Sequence, residues 1–387
     1  MIDIINFLIK KSNKEYWKKI LYYKYPNTEA LFKKPVAIFG AGRMGKVFLK
    51  GMRSVGMRVS YFIDNSRKLQ GNVIDRVPVI SLFKAKKISL ENPVVVASLS
   101  YETEICTDLL KEGFKFVFPL VYLNTLYPDI FFSPEYKNIF DSLFEKDNQT
   151  KIQNAMDLWE DEKSKEVFSR LLLFRFTFEK AYLRHANAGT SSYICDGLLR
   201  FGEKEVFVDG GAYTGDSIDA FLEASHKKYM SIYSFEPDET NYTHLVNYCR
   251  KRGMKAVFPV KKGMFEKTGQ VRFNGNGTVD ARILKKINNS VHNHDIKRIE
   301  TVILDDYFRD KETPTLIKMD IEGVEREALM GASKLIRLNK PKLMISVYHH
   351  AEDLWNLPIL IKKLNPMYRL HLRHFSNEIT DTLCYAY

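Results

Sequence analysis

Apolar positions along this chain fall into two similar series. From Pro35 to about Pro119, short runs of strand length, "PVAIF", "RVSYFID", "PVVVAS" and "FKFVFP", alternate with helical spacing over Lys46 to Val55 and again after Tyr101. The alternation returns from Glu205 in "EVFVD", "SIYSFEP", "KAVFPV", "TLIKMD", "KLMISVY", "YRLHLRHF" and "TLCYAY". Repeated strand-helix-strand units predict a parallel sheet covered by helices, so the pattern reads as α/β with two Rossmann-like domains. Only "SNEITD" separates the last two strands. That is too short for a helical crossover, and the pair must run antiparallel.

Two stretches break the rhythm. Residues 126–200 carry helical patterning, as in "SPEYKNIFDSLFEK" and "IQNAMDLWEDEKSKEVFSRLLLFRFTFEKAYL", and read as a helical connector. Residues 1–33 hold an amphipathic stripe of Ile5, Phe7, Leu8, Trp17, Ile20 and Leu21 between lysines. The expected division is thus 1–33, a basic helical segment; 34–125, the first Rossmann-like domain; 126–200, the connector; and 201–387, the second Rossmann-like domain.

Charge sharpens this picture. The chain of 387 residues carries a formal net charge of +12, and its first 60 residues hold 13 Lys and Arg against Asp3, Glu15 and Glu29. Such a front suits peripheral contact with an anionic membrane, a sugar nucleotide or a polyanion, the alternative being a solvated helix surface. With 45% apolar and 27% charged residues the composition is that of an ordinary globular protein. No apolar run is long enough to cross a bilayer, and the first charges follow a short apolar segment instead of preceding it, so a cytoplasmic protein is expected. Cys106, Cys195, Cys249 and Cys384 lie far apart, with neither zinc-ligand nor disulfide-framework spacing.

Each series opens on a glycine turn. In "VAIFGAGRMGKVF", Gly40, Gly42 and Gly45 form G-x-G-x-x-G between a strand and a helix, with Arg43 and Met44 inside the turn and Asp64 ending the next strand. Glycines let backbone approach a pyrophosphate at a helix N-terminus, and the acid is placed to accept from ribose hydroxyls. Two alternatives stand beside this second nucleotide site: a tight turn without a ligand, and redox use of NAD. The domain is short for a dehydrogenase. Its "GAG" turn and "FIDN" strand end resemble the N-terminal Rossmann-like domains of sugar O-acyltransferases, which implies a nucleotide-linked sugar as ligand.

The second turn, "EVFVDGGAYTGDS", differs in that Asp209 precedes the glycines. A carboxylate there is placed to orient an ammonium group, Gly210, Gly211 and Gly215 free the backbone around Ala212 and Tyr213, and Asp216 and Ser217 open the helix. Glu236, followed by Pro237, ends the next strand in position to take both ribose hydroxyls. Later in the chain, strand ends present Asp320 with Glu322, and His349 with His350; in open α/β sheets such ends face the ligand crevice.

From about Tyr193 the chain resembles the FkbM-type S-adenosylmethionine-dependent methyltransferases, through "VDGGAYTGDS", "SFEPD", "ETVILDDYF", "LIKMDIEGVEREALMGA" and "KPKLMISVYHH". The resemblance implies a class I methyltransferase sheet with an antiparallel last strand, S-adenosylmethionine as cofactor, and methylation of a sugar or glycan hydroxyl. Tyr213 stands where that family commonly has Asn, and His349 and His350 stand where many relatives end the strand with Glu-x-His. Because a sugar hydroxyl is a weak acid, a base must take its proton as the methyl group transfers. Asp320 is expected to orient the acceptor or the methyl end and His349 to be the base. Glu322 either joins them or caps its helix, with Glu325 then facing solvent. A divalent ion on Asp320, Glu322 and a histidine is a further alternative, although no metal is assigned. Asp305 and Asp306 cap the short helix after them or bind substrate, and Asp280 and Arg282 lie on a glycine-rich stretch that is either a flap over the acceptor or an ordinary loop. The expected partners are a sugar or nucleotide-sugar acceptor and a second copy in a homo-oligomer, with no specific nucleic acid. The competing functions are a nucleic-acid methyltransferase, an NAD-dependent sugar-modifying oxidoreductase and a non-catalytic recruiting module.

Overall fold

The computed structural model describes residues 27–98, 101–120, 123, 139, 141–177, 179–189, 194, 197–274, 282–283 and 296–387. The stripe expected in residues 1–26, Cys195, Asp280 and the side chain of Arg282 lie outside the described residues. The chain divides into two compact units. One ends at Glu145 and takes in Leu173–Lys180; the other holds Lys146–Leu172 and Ala181–Tyr387. Among the described residues no helix is long and apolar enough to cross a membrane.

In the first unit, β1 (Val36–Phe39), β2 (Val59–Ile63), β3 (Val73–Ile74), β4 (Val77–Ile80), β5 (Val94–Val96) and β6 (Val117–Pro119) form one sheet in the order β3-β4-β2-β1-β5-β6. All its pairs are parallel except the β3–β4 hairpin. Alternate residues of β1 serve opposite faces: Val36 and Ile38 join Phe48 and Phe62 in one apolar cluster, while Ala37 and Phe39 join Tyr61 and Leu109 in another. A strand buried on both faces has no polar position, which is why "VAIF" is an unbroken apolar run. The hairpin was not expected. Asp75 and Arg76 turn it with φ of +44° and +66°, a left-handed pair usually flagged by glycine, which this turn lacks.

The second unit is built on seven strands: β7 (Val206–Gly210), β8 (Ser231–Phe235), β9 (Val257–Val260), β14 (Leu316–Met319), β15 (Lys342–Ser346), β16 (Leu370–His374) and β17 (Thr382–Ala386). Their order is β16-β17-β15-β14-β7-β8-β9. Strands β7, β8, β9, β14 and β15 pair in parallel, and β17 runs antiparallel to both β15 and β16, as the short connection requires. The edge strand β16 is held to the helix Glu162–Thr177 by Asp161. Its carboxylate accepts from Ser164 N at 2.7 Å and from Arg373 Nη2 at 2.7 Å, and lies 3.0 Å from His371 Nδ1. Burial works against the charge, but these partners hold Asp161 well below the usual carboxylate range.

A four-stranded sheet that the apolar pattern did not predict sits in sequence between β9 and β14. Strands β10 (Gly263–Met264), β11 (Gly269–Asn274), β12 (Arg282–Ile283) and β13 (Ile296–Val302) order as β10-β13-β11-β12, with β11 antiparallel to β13. Only one face is apolar. Phe273 and Ile299 pack with Val324 and Ile321, so the small sheet backs the turn that follows β14. Gln270, Arg272, Arg298 and Glu300 occupy the alternate positions, and this polar interleaving hides the strands from a search for apolar runs.

Candidate active site

The turn after β7 needs its glycines. Gly211 has φ +73°, and a Cβ there would collide with the backbone oxygen of Asp320; Gly215, at φ +106°, would bring a Cβ to 2.8 Å from the Tyr248 ring. Gly211 N and Ala212 N both donate to Phe235 O at 3.1 Å, which ties the turn to the end of β8. Tyr213 is held at φ +45°, a region that asparagine enters far more readily than tyrosine. Helix Asp216–Ala224 follows, with Asp216 exposed in its first turn and Ser217 buried.

Asp209 does not face a ligand. It is 0% exposed and accepts from Lys318 Nζ at 3.0 Å, while the same ammonium, itself 2% exposed, reaches Gly210 O and Gly211 O at 3.3 Å. Burial pushes the Asp209 carboxyl up, against the pull of Lys318. The expectation that Asp209 orients a ligand ammonium is therefore corrected: it holds a lysine beneath the glycine turn. Sequence reasoning passed over Lys318, whose signal was a single charge between Ile317 and Met319 in an otherwise apolar strand.

Glu236, just past β8, reaches the same turn. Its Oε2 accepts from Tyr213 N at 3.0 Å and its Oε1 from Asp238 N at 2.9 Å. Burial lifts this carboxyl to about 7, with Asp238 and Asp209 pushing the same way and the two N–H groups pulling back. Each oxygen keeps capacity for a further donor. Pro237 follows, half-buried.

After β14 the chain enters "DIEG". Asp320 N donates to Gly210 O at 3.1 Å, so this turn is bonded directly to the glycine turn. Glu322 adopts φ +58° and Gly323 φ +91°. The Asp320 carboxylate accepts from Tyr348 Oη at 3.0 Å. His349 brings its Nε2 to 3.4 Å from Asp320 Oδ1 and 3.6 Å from Glu322 Oε2, and its Nδ1 to 2.9 Å from Glu325 Oε1. Burial alone would lower the His349 pKa, yet Glu325, Asp320 and Glu322 raise it to about 10. Three carboxylates converging on the ring favour its protonated form, which works against the role of base expected of it. Glu325 is likewise not solvent-facing: it is 1% exposed, and its Oε1 accepts from Ile321 N at 2.9 Å. His350 braces the turn through Nε2, 2.8 Å from Gly323 O. Asp305 caps a different helix from the one expected, accepting from Lys334 N and Leu335 N at 2.9 Å.

The first unit's turn is wired in the same way. Gly40 N donates to Ile63 O at 2.8 Å, and the Asp64 carboxylate accepts from Ala41 N and Ser66 N, each at 2.8 Å. Gly45 packs on Gly40 O, Met44 joins the apolar core, and Gly42 and Arg43 are exposed.

A seven-stranded sheet with its last strand antiparallel, carrying a glycine turn after β7 and an acid after β8, is the class I methyltransferase arrangement. Residues 209–379 match the family model of the methyltransferase FkbM domain. The protein is an S-adenosylmethionine-dependent methyltransferase, and the stretch that matches the FkbM model lies in its second unit. It is similar in fold along nearly its whole length to methyltransferase FkbM from Methylobacillus flagellatus KT, at 22% identity and a TM-score of 0.78, covering 97% of this chain and 98% of that one. Weaker likenesses are to a SAM-dependent methyltransferase from Aquifex aeolicus, at 15% identity, TM-score 0.31, 54% of this chain and 98% of that one, and to Aeropyrum pernix fibrillarin in complex with natively bound S-adenosyl-L-methionine, at 11% identity, TM-score 0.30, 49% of this chain and 70% of that one. Among curated proteins none matches this chain.

Proposed function

We propose that the protein methylates a hydroxyl of a sugar or glycan, either nucleotide-linked or within a surface polysaccharide. The residues fit the cofactor: the glycine turn offers bare backbone, and Glu236 presents a carboxylate with remaining acceptor capacity to ribose hydroxyls. S-adenosylmethionine, when bound, supplies an electrophilic methyl group. Asp320, bonded through its backbone to the glycine turn, orients the acceptor; Glu322 takes the hydroxyl proton as transfer proceeds. His349, placed among the three acids, holds their side chains together.

The observation that carries this reading is the backbone of Glu322. A non-glycine residue at φ +58°, beside a turn tied to the cofactor loop, is the kind of strain that folds retain where a side chain must be aimed. The acid-rich cluster suits a polyhydroxyl acceptor, and the usual substrates of the FkbM family supply the sugar class. The likeness of the Asp64 and Glu236 wiring supports a nucleotide-linked ligand on the first unit's turn as well. Purified protein should release S-adenosylhomocysteine with a sugar nucleotide or glycan from an acceptor panel. Donor binding with no turnover on any of these, but turnover on RNA, would replace the sugar by a nucleic acid.

A further inference from the structure

The cluster after β14 contains buried polar atoms that its own hydrogen bonds leave unused. Glu325 Oε2 has no hydrogen-bond partner, and neither His349 nitrogen makes an aligned hydrogen bond, although the ring is only 9% exposed and lies among three carboxylates. A buried polar atom without a hydrogen bond has lost its water and gained nothing in exchange. Folded proteins seldom keep them without a water, an ion or a functional reason.

One ligand atom each from Asp320, Glu325 and His349 lies within 4.8 Å of the others. Around a tetrahedral cation bonded at about 2.1 Å the ligand atoms lie about 3.4 Å apart, so side-chain shifts of up to about an ångström close the set. The donors are one imidazole and two carboxylates, with the Glu322 carboxylate adjacent. An imidazole with hard oxygens suits Mn²⁺ or Zn²⁺ better than the all-oxygen shell of Ca²⁺. Three carboxylates converge on one imidazole, and the innermost, Glu325, is 1% exposed, where a charge is normally paired or metal-bound.

We propose that Asp320, Glu325 and His349 form a divalent-cation site of the Mn²⁺ or Zn²⁺ type, with Glu322 flanking its open side. Binding releases the imidazole proton to solvent, since a ligating histidine is neutral. On the reading of the protein as a hydroxyl methyltransferase, the open side is where the acceptor oxygen is held and its proton made easier to remove. The ion site itself rests only on the geometry.

The test uses metal-stripped full-length protein titrated with Mn²⁺, reading loss of the free-ion EPR signal, with a parallel Zn²⁺ titration by calorimetry. The expected result is one ion per chain, with affinity reduced at least about tenfold in Glu325→Gln and in His349→Ala. Thermal melts of each variant report whether it folds; if His349→Ala does not, the wild-type stoichiometry and Glu325→Gln decide. Failure of the wild type to bind either ion, or equal binding by the folded variants, overturns the proposal. Calorimetry with S-adenosylmethionine on the same samples tests the enzymatic reading separately. Donor binding without ion binding sinks only the metal site, and the reverse result sinks only the donor assignment.

Discussion

Replacing Glu236 by glutamine removes a charge while keeping the shape. In the folded protein burial lifts this carboxyl to about 7, from an ordinary value of 4.5. Between those two values the folded chain binds a proton that the unfolded chain has released, so stability falls as pH rises through the window. A gap of about 2.5 units at about 1.36 kcal/mol each corresponds to roughly 3 kcal/mol, absent below the lower value and fully expressed above the upper one. Glutamine never ionises, but its amide nitrogen must face either Tyr213 N–H or Asp238 N–H, which forfeits about 1–3 kcal/mol at every pH. The variant should therefore be less stable than wild type near about pH 5 and equal or more stable near about pH 8. Urea unfolding followed by the fluorescence of Trp159 and Trp355, both buried in the second unit, reads this directly. Donor affinity, by calorimetry, should drop in the variant, and in wild type should rise with pH through about 7 as the carboxylate form fills. A wild-type-to-variant difference that stays constant between the two pH values would refute the account of this buried acid.

Two further substitutions probe the same turn. Lys318→Met strands the Asp209 charge in a fully buried place and should cost about 3–5 kcal/mol, with part recovered in the double variant Asp209→Asn/Lys318→Met, measured by urea unfolding; equal loss in both would mean the pair is not coupled. Tyr213→Asn relieves a left-handed backbone that costs tyrosine about 1 kcal/mol and should raise the melting temperature by a few degrees, whereas an unchanged or lower value would mean the tyrosine ring compensates.

Much of the second unit was legible because local chemistry announces it. Strand-turn-helix patterning located Gly211 and Gly215, the short "SNEITD" link required the antiparallel edge, and acids at strand ends led to Glu236, Asp320 and Glu322. What could not be read depends on partners distant in the chain. Asp209 looks like a ligand contact until Lys318, 109 residues later, is seen to fill the space below it. Glu325 looks like a solvent-facing helix residue because nothing local shows that His349 comes in from β15. The upward push on the His349 pKa follows from three carboxylates converging on it, a property of the fold and not of "VYHH". The small sheet escaped because its strands alternate polar and apolar residues, a weaker signal than the unbroken runs around it.

The two glycine turns explain why the spacing rule works and where it stops. Ala41 N reaches Asp64 and Tyr213 N reaches Glu236, each across 23 residues, and each acid also accepts the amide two residues beyond itself. The distance is the length of one helix and one strand, so the acid returns to the turn whatever the turn holds. Its first task is to satisfy backbone N–H groups that a glycine-rich bend leaves exposed, and a ligand shares the carboxylate only afterwards. Affinity lost on replacing either acid therefore mixes a structural cost with a contact. Only the part of the loss that exceeds the change in folding stability measures the ligand. In the second unit the match to the FkbM domain says what that ligand is; in the first unit the wiring stands without such a match, and a binding measurement at Asp64 has to carry the assignment.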